Sequence, residues 1–124
     1  MAAIYVVHLS GFHLGDDAVL LAMDVAGLNA ITTALRQTHQ HGLWRLVDRR
    51  KTHQFQVQAG SADVELRDDH VHWRLDPAKL AEIIGKLTAM TSSSGPCHHY
   101  VDISTPADTL VLSVDEYTGS TWLT

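Results

Sequence analysis

The chain repeats itself, and that repetition restricts its fold more than any other property. Slid along itself without a gap, the sequence brings Asp16-Asp17 onto Asp68-Asp69, Val19 onto Val71, Asp24 onto Asp76, Leu28 onto Leu80, Ile31 onto Ile83 and Leu35 onto Leu87. Farther on, two extra residues are needed, and then Val47-Asp48 falls on Val101-Asp102, as expected if a loop after a helix has lengthened. Two copies of one plan, residues 3–59 and 62–117, follow from this.

The second copy spells the plan out. Val64 and Leu66 alternate with Asp63, Glu65 and Arg67, which is the period of a strand with one wet face. Arg67-Asp68-Asp69 supplies turn chemistry, because short acidic side chains bond their own backbone. In the next strand Val71, Trp73 and Leu75 point one way, and His70, His72 and Arg74 the other. Asp76-Pro77 starts a helix: the carboxylate accepts an orphan amide, and proline is tolerated at the first helical position. Leu80, Ile83, Ile84 and Leu87 recur at helical spacing. Ser92 to Pro96 ends the helix, and Cys97 to Ile103 and Thr109 to Val114 read as strands around a Thr105-Pro106 turn.

The first copy repeats this with variations. Ile4 to Leu14 reads as a long strand bent at Gly11, followed by an Asp16-Asp17 turn, a Val19 to Met23 strand, an Asp24 cap and a helix closed by Gly42. Leu43 to Val47 and the run of Phe55, Val57 and Ala59 complete it. Val19 to Met23 is apolar on both faces, so it is central in a sheet or part of an interface. Two helices cannot cover both faces of eight strands. The expected fold is therefore α+β, a single domain over residues 1–124 made of two ββαββ pseudo-repeats, with an antiparallel sheet carrying two helices on one face. The uncovered face would hold Gln54, Gln56, Gln58, His70, His72 and Arg74, either as plain solvated sheet or as a docking platform.

Charge and motifs narrow the function. A net charge of −5, from 9 Lys and Arg against 14 Asp and Glu, argues against nucleic acid and favours a basic protein partner. The basic cluster Arg45, Arg49, Arg50 and Lys51 reads as a solvated turn. The start of the chain has no pattern of a secretion signal, and no apolar stretch is long enough to span a bilayer, so a cytoplasmic location away from membranes is expected. One cysteine, Cys97, excludes an internal disulfide. There is no glycine-rich phosphate loop, no serine elbow and no paired-cysteine metal motif. Adjacent residues of a strand face opposite ways, so Cys97 and His98 do not form a catalytic pair. The acidic pairs at equivalent turns are explained by turn formation, and no enzyme or cofactor is expected.

His70 and His72 share one side of a strand at a spacing used for divalent metals, with Asp68, Asp69, His98 and His99 available as further ligands. A metal-binding protein built around His70 and His72 is accordingly the rival reading to protein recognition. His39 and His41 end the first helix, where positive charge suits the helix dipole. A homodimer through the Val19 to Met23 strand or an edge strand is a third possibility.

The stretch His98-His99-Tyr100-Val101-Asp102, then Leu110 to Val114 and Asp115-Glu116-Tyr117, resembles a strand pair of small bacterial immunity proteins of polymorphic toxin systems. The hairpin before the Asp24 to Leu35 helix is similar in pattern to other small immunity proteins, although Cys97-His98 stands where a glycine-histidine pair is usual. The resemblance implies a non-enzymatic protein that binds and blocks a cognate toxin. Asp68, Asp69, His70, His72, Arg74, Gln54 and Gln56 would be the contact residues, with Trp44, Trp73 and Tyr117 as aromatic anchors or, more simply, core.

Overall fold

A computed structural model describes residues 3–13, 16–48, 51–92 and 96–115. In chain order the elements are β1 (Ile4–His13), β2 (Asp16–Met23), α1 (Val25–His41), β3 (Leu43–Asp48), β4 (Lys51–Val57), β5 (Ala62–Leu66), β6 (His70–Leu75), α2 (Pro77–Thr91), β7 (Cys97–Asp102) and β8 (Thr109–Val114). The α+β class and the two ββαββ units are those expected from the repeat. The displaced equivalence of Val47-Asp48 with Val101-Asp102 places these pairs at the ends of β3 and β7.

Local chemistry starts both helices in the same way. Asp24 Oδ1 accepts from the Gly27 amide at 2.7 Å, and Asp76 Oδ1 accepts from the Lys79 amide at 2.7 Å. Asp24 also accepts from the Ala3 amide at 3.0 Å, which ties the start of α1 to the start of β1. A Cβ at Gly27 would collide with the Ala3 carbonyl oxygen, so this close approach needs glycine. Gly42 ends α1 in the left-handed region, with φ of 83°. The buried hydroxyls of Thr32 and Thr38 are satisfied within α1 by the carbonyls of Leu28 and Ala34.

The sheet differs from expectation. The sequence leaves open one continuous sheet or two packed ones; there are two, and they are mixed instead of antiparallel throughout, ordered β1-β2-β8-β7 and β3-β4-β6-β5. Each contains one hairpin from each half, joined by a parallel central pair: β2 with β8, and β4 with β6. α1 carries the chain from β2 into the second sheet, and α2 carries it from β6 back to the first, so each sheet collects a hairpin from both halves. Alternation along a strand reports which face is buried and is silent about which strand lies beside it.

Both sheets turn one face to the helices and share one core, in which Leu21, Met23, Leu28, Ile31, Trp73, Leu80 and Leu112 are all buried. Trp73, a candidate anchor on the sequence reading, is part of this core at 2% exposure and is not available to a partner. The doubly apolar strand β2 is central, flanked by β1 and β8. Its second face builds a smaller cluster of Ala18, Leu20, Ala22 and Val111, against which Tyr5, Val7 and Leu9 pack. Asp16 and Asp17, expected in the turn, are the first residues of β2, and Asp17 accepts from the Gly11 amide where the β1–β2 register shifts. Tyr117 lies outside the described residues.

One polar group sits inside the core. His53 on β4 is 1% exposed, stacks on Phe55, and receives the Trp73 indole N–H at Nδ1 (3.4 Å). That leaves the proton on Nε2, which has no hydrogen-bond partner among the described residues. Burial, followed by the charges of Lys51 and His70, lowers its pKa from 6.5 to about 4. The unfolded chain therefore binds a proton more readily than the folded one. Stability contributed by neutral His53 is intact above pH 6.5, falls as the pH drops towards 4, and is then lower by about 3 kcal/mol. His53→Gln, which keeps an acceptor for Trp73, should flatten that part of the stability curve in urea unfolding measured from pH 7 to pH 4. An unchanged slope would show that His53 does not sense acid in this way.

Candidate recognition surface

No helix among the described residues lies over the outer face of the second sheet, β3-β4-β6-β5. Strand register arranges that face in rows. Leu43 of β3 lies beside Gln56 of β4, then Arg74 of β6 and Asp63 of β5; the next row is Arg45, Gln54, His72 and Glu65; the third is Val47, Thr52 and His70. Five of the expected contact residues, Gln54, Gln56, His70, His72 and Arg74, thus come together on one face. Asp68 and Asp69 stand exposed in the β5–β6 turn at the end of this face, and the Asp69 carbonyl accepts from the Thr52 amide at 2.9 Å. Gln58, expected on the same face, falls beyond β4 and donates to Ser61 instead.

Gln56, His72 and Arg74 form a connected network with the carboxylates of β5. His72 donates from Nε2 to Gln56 Oε1 at 3.0 Å, and its Nδ1 accepts from Arg74 Nη1 at 3.2 Å. An arginine only donates, so Nδ1 must carry the lone pair, and His72 is neutral with its proton on Nε2. Arg74 Nη1 also donates to Glu65 Oε1 at 3.1 Å, with Asp63 Oδ2 3.9 Å from Nε. Glu65 accepts in addition from Arg67 Nε at 2.6 Å, and Asp63 from the Thr105 hydroxyl at 3.2 Å. Hydrogen bonds from Arg67 and then Arg74 hold the Glu65 carboxyl below its usual range. Burial and then the Arg74 charge push His72 down, with Glu65 opposing them.

The network bears on the metal reading. Both His72 nitrogens are engaged, and the His70 ring stands edge-on to His72 with centroids 6.2 Å apart. Among the described residues no group of three or more His, Cys, Asp or Glu side chains is placed to hold a metal ion. His98 and His99, the further ligands considered, belong to β7 in the other sheet.

Sequence reasoning did not single out Asp63 and Glu65, the carboxylates that hold Arg74. Their alternation marked them as a wet face, but that β5 borders β6 on this side was visible only in the strand order. Trp44, by contrast, is 39% exposed and stacks on His41, with centroids 5.9 Å apart. It lies on the helix side of β3, opposite Phe55 in register. The arrangement offers fixed donors and acceptors on a rigid sheet.

No family model matches the chain, and no curated protein matches it. Among solved structures it is similar to the crystal structure of Drosophila Suppressor of Fused, with a TM-score of 0.51 at 10% identity, over 90% of this chain. The match spans 26% of that protein's chain. At this identity the likeness concerns the fold alone. No helix among the described residues is long and apolar enough to cross a membrane.

The network makes a titration prediction. His72 should titrate below 6.5 in the folded protein, as followed by its ring proton resonances. Arg74→Met should raise that midpoint by removing a positive neighbour, and Glu65→Gln should lower it further. Midpoints that ignore both substitutions would mean that the contacts do not persist in solution.

Proposed function

We propose that this protein is a non-enzymatic binding module that neutralises a cognate bacterial toxin in the cytoplasm, using the outer face of the β3-β4-β6-β5 sheet. The observation that carries this reading is the convergence of Gln54, Gln56, His70, His72 and Arg74 on one sheet face that no helix among the described residues covers. Buttressed polar side chains on a sheet lose little conformational freedom on binding, so their hydrogen bonds are spent on recognition. The acidic balance of the chain and the exposed Asp68 and Asp69 at the end of the face suit a basic partner. The resemblance of the β7–β8 segment to immunity proteins is what names toxin neutralisation as the purpose of that binding.

Co-expression with toxins encoded beside the gene should restore growth, and the two proteins should copurify. Gln54→Lys and His70→Lys add positive charge to the face without entering the core, and should weaken the complex by at least about ten-fold while leaving the melting temperature unchanged. Failure to protect against any neighbouring toxin removes the toxin reading. Protection that both substitutions leave intact moves the interface off this face.

A further inference from the structure

The two edges of the β3-β4-β6-β5 sheet are treated differently. On the β5 edge the chain covers itself: the Val64 amide donates to the Thr105 carbonyl at 3.0 Å, and the Ser104 amide donates to the Ala62 carbonyl at 2.8 Å. The β3 edge has no such cover among the described residues, since β3 pairs with β4 alone. It is also apolar where edges are usually blunted, with Val47 69% and Leu43 47% exposed. Leu43, Arg45 and Val47 share the outer face, with Arg45 exposed between the two aliphatic side chains.

We propose that the β3 edge receives an extended segment of a partner protein as an added antiparallel strand, one whose alternate residues run apolar, acidic, apolar against Val47, Arg45 and Leu43. Backbone hydrogen bonds along the edge would supply affinity, and this side-chain row would supply selection. A second copy of the chain is the obvious alternative occupant, and its own charges argue against it. Antiparallel self-pairing that sets Leu43 against Val47 sets Arg45 against Arg45, and sliding by one pair of residues sets Arg45 against an aliphatic side chain instead. Like charges directly opposite are destabilising, whereas a carboxylate there is favourable. This inference stands apart from the toxin reading, because it concerns the edge and a linear acidic segment instead of the open face and a basic surface.

The probe is a capped heptapeptide with valine, glutamate and valine at alternating positions and threonine between them, added up to millimolar concentration to the full-length chain. Amide exchange and resonance shifts followed by NMR should report protection along Leu43 to Val47. A peptide with lysine in place of glutamate should bind about five-fold more weakly or worse. Arg45→Glu, a change at an exposed position checked for folding by circular dichroism, should reverse that preference. The proposal is overturned if neither peptide binds, if the two bind alike, or if protection appears elsewhere. It is equally overturned if the protein alone protects its β3 amides by forming a dimer in analytical ultracentrifugation.

Discussion

Two parallel seams hold this molecule together, β2 against β8 and β4 against β6. Each joins a hairpin from one half of the duplication to a hairpin from the other, over Ala18–Thr109 to Met23–Val114 in one sheet and Thr52–His70 to Val57–Leu75 in the other. A two-stranded hairpin alone is marginal in water, and neither half owns more than two such hairpins and a helix. The seams turn four weak hairpins into two four-stranded sheets around one apolar core. The equivalent hydrogen bonds of the Asp24 amide to the Ala3 carbonyl and the Asp76 amide to the Ser61 carbonyl repeat the same joint in both halves.

The two sheets nevertheless differ in what they expose. In the β1-β2-β8-β7 sheet the centre is apolar on both sides, with Leu20 and Val111 buried away from the helices. In the β3-β4-β6-β5 sheet the corresponding side carries Gln54, Gln56, His72 and Arg74, and Arg74 links His72 to Glu65. A face stabilised by its own hydrogen bonds can stay in water without collapsing onto something else. That difference is why the proposed binding face is the outer side of the second sheet.

Much of this was readable from residue order. Asp24, Asp76-Pro77 and Gly42 mark helix ends by chemistry that acts within a few residues, and the alternation of His70, His72 and Arg74 with Val71, Trp73 and Leu75 sorts one strand into wet and dry sides. What could not be read is pairing. Whether β2 lies beside β8 depends on contacts between residues far apart in the chain, and periodicity is identical for either neighbour. The mixed sheets, the Arg74 contacts with Glu65 and Asp63, and the β3 edge that no described residue covers all follow from that pairing. His53 failed to stand out for a related reason: alternation placed Gln54 and Gln56 on the wet face, but nothing local reveals that a histidine on the dry face would meet Trp73.

Separating the halves tests the exchanged-hairpin architecture most directly. Residues 1–59 and 60–124, cut in the exposed β4–β5 turn, are produced apart and then mixed, and their thermal unfolding is followed by circular dichroism. Each fragment alone should lack a cooperative transition, and the mixture should recover one together with the spectrum of the intact chain. A fragment that folds cooperatively by itself as a monomer would contradict the account, because it would mean that each half closes its own sheet.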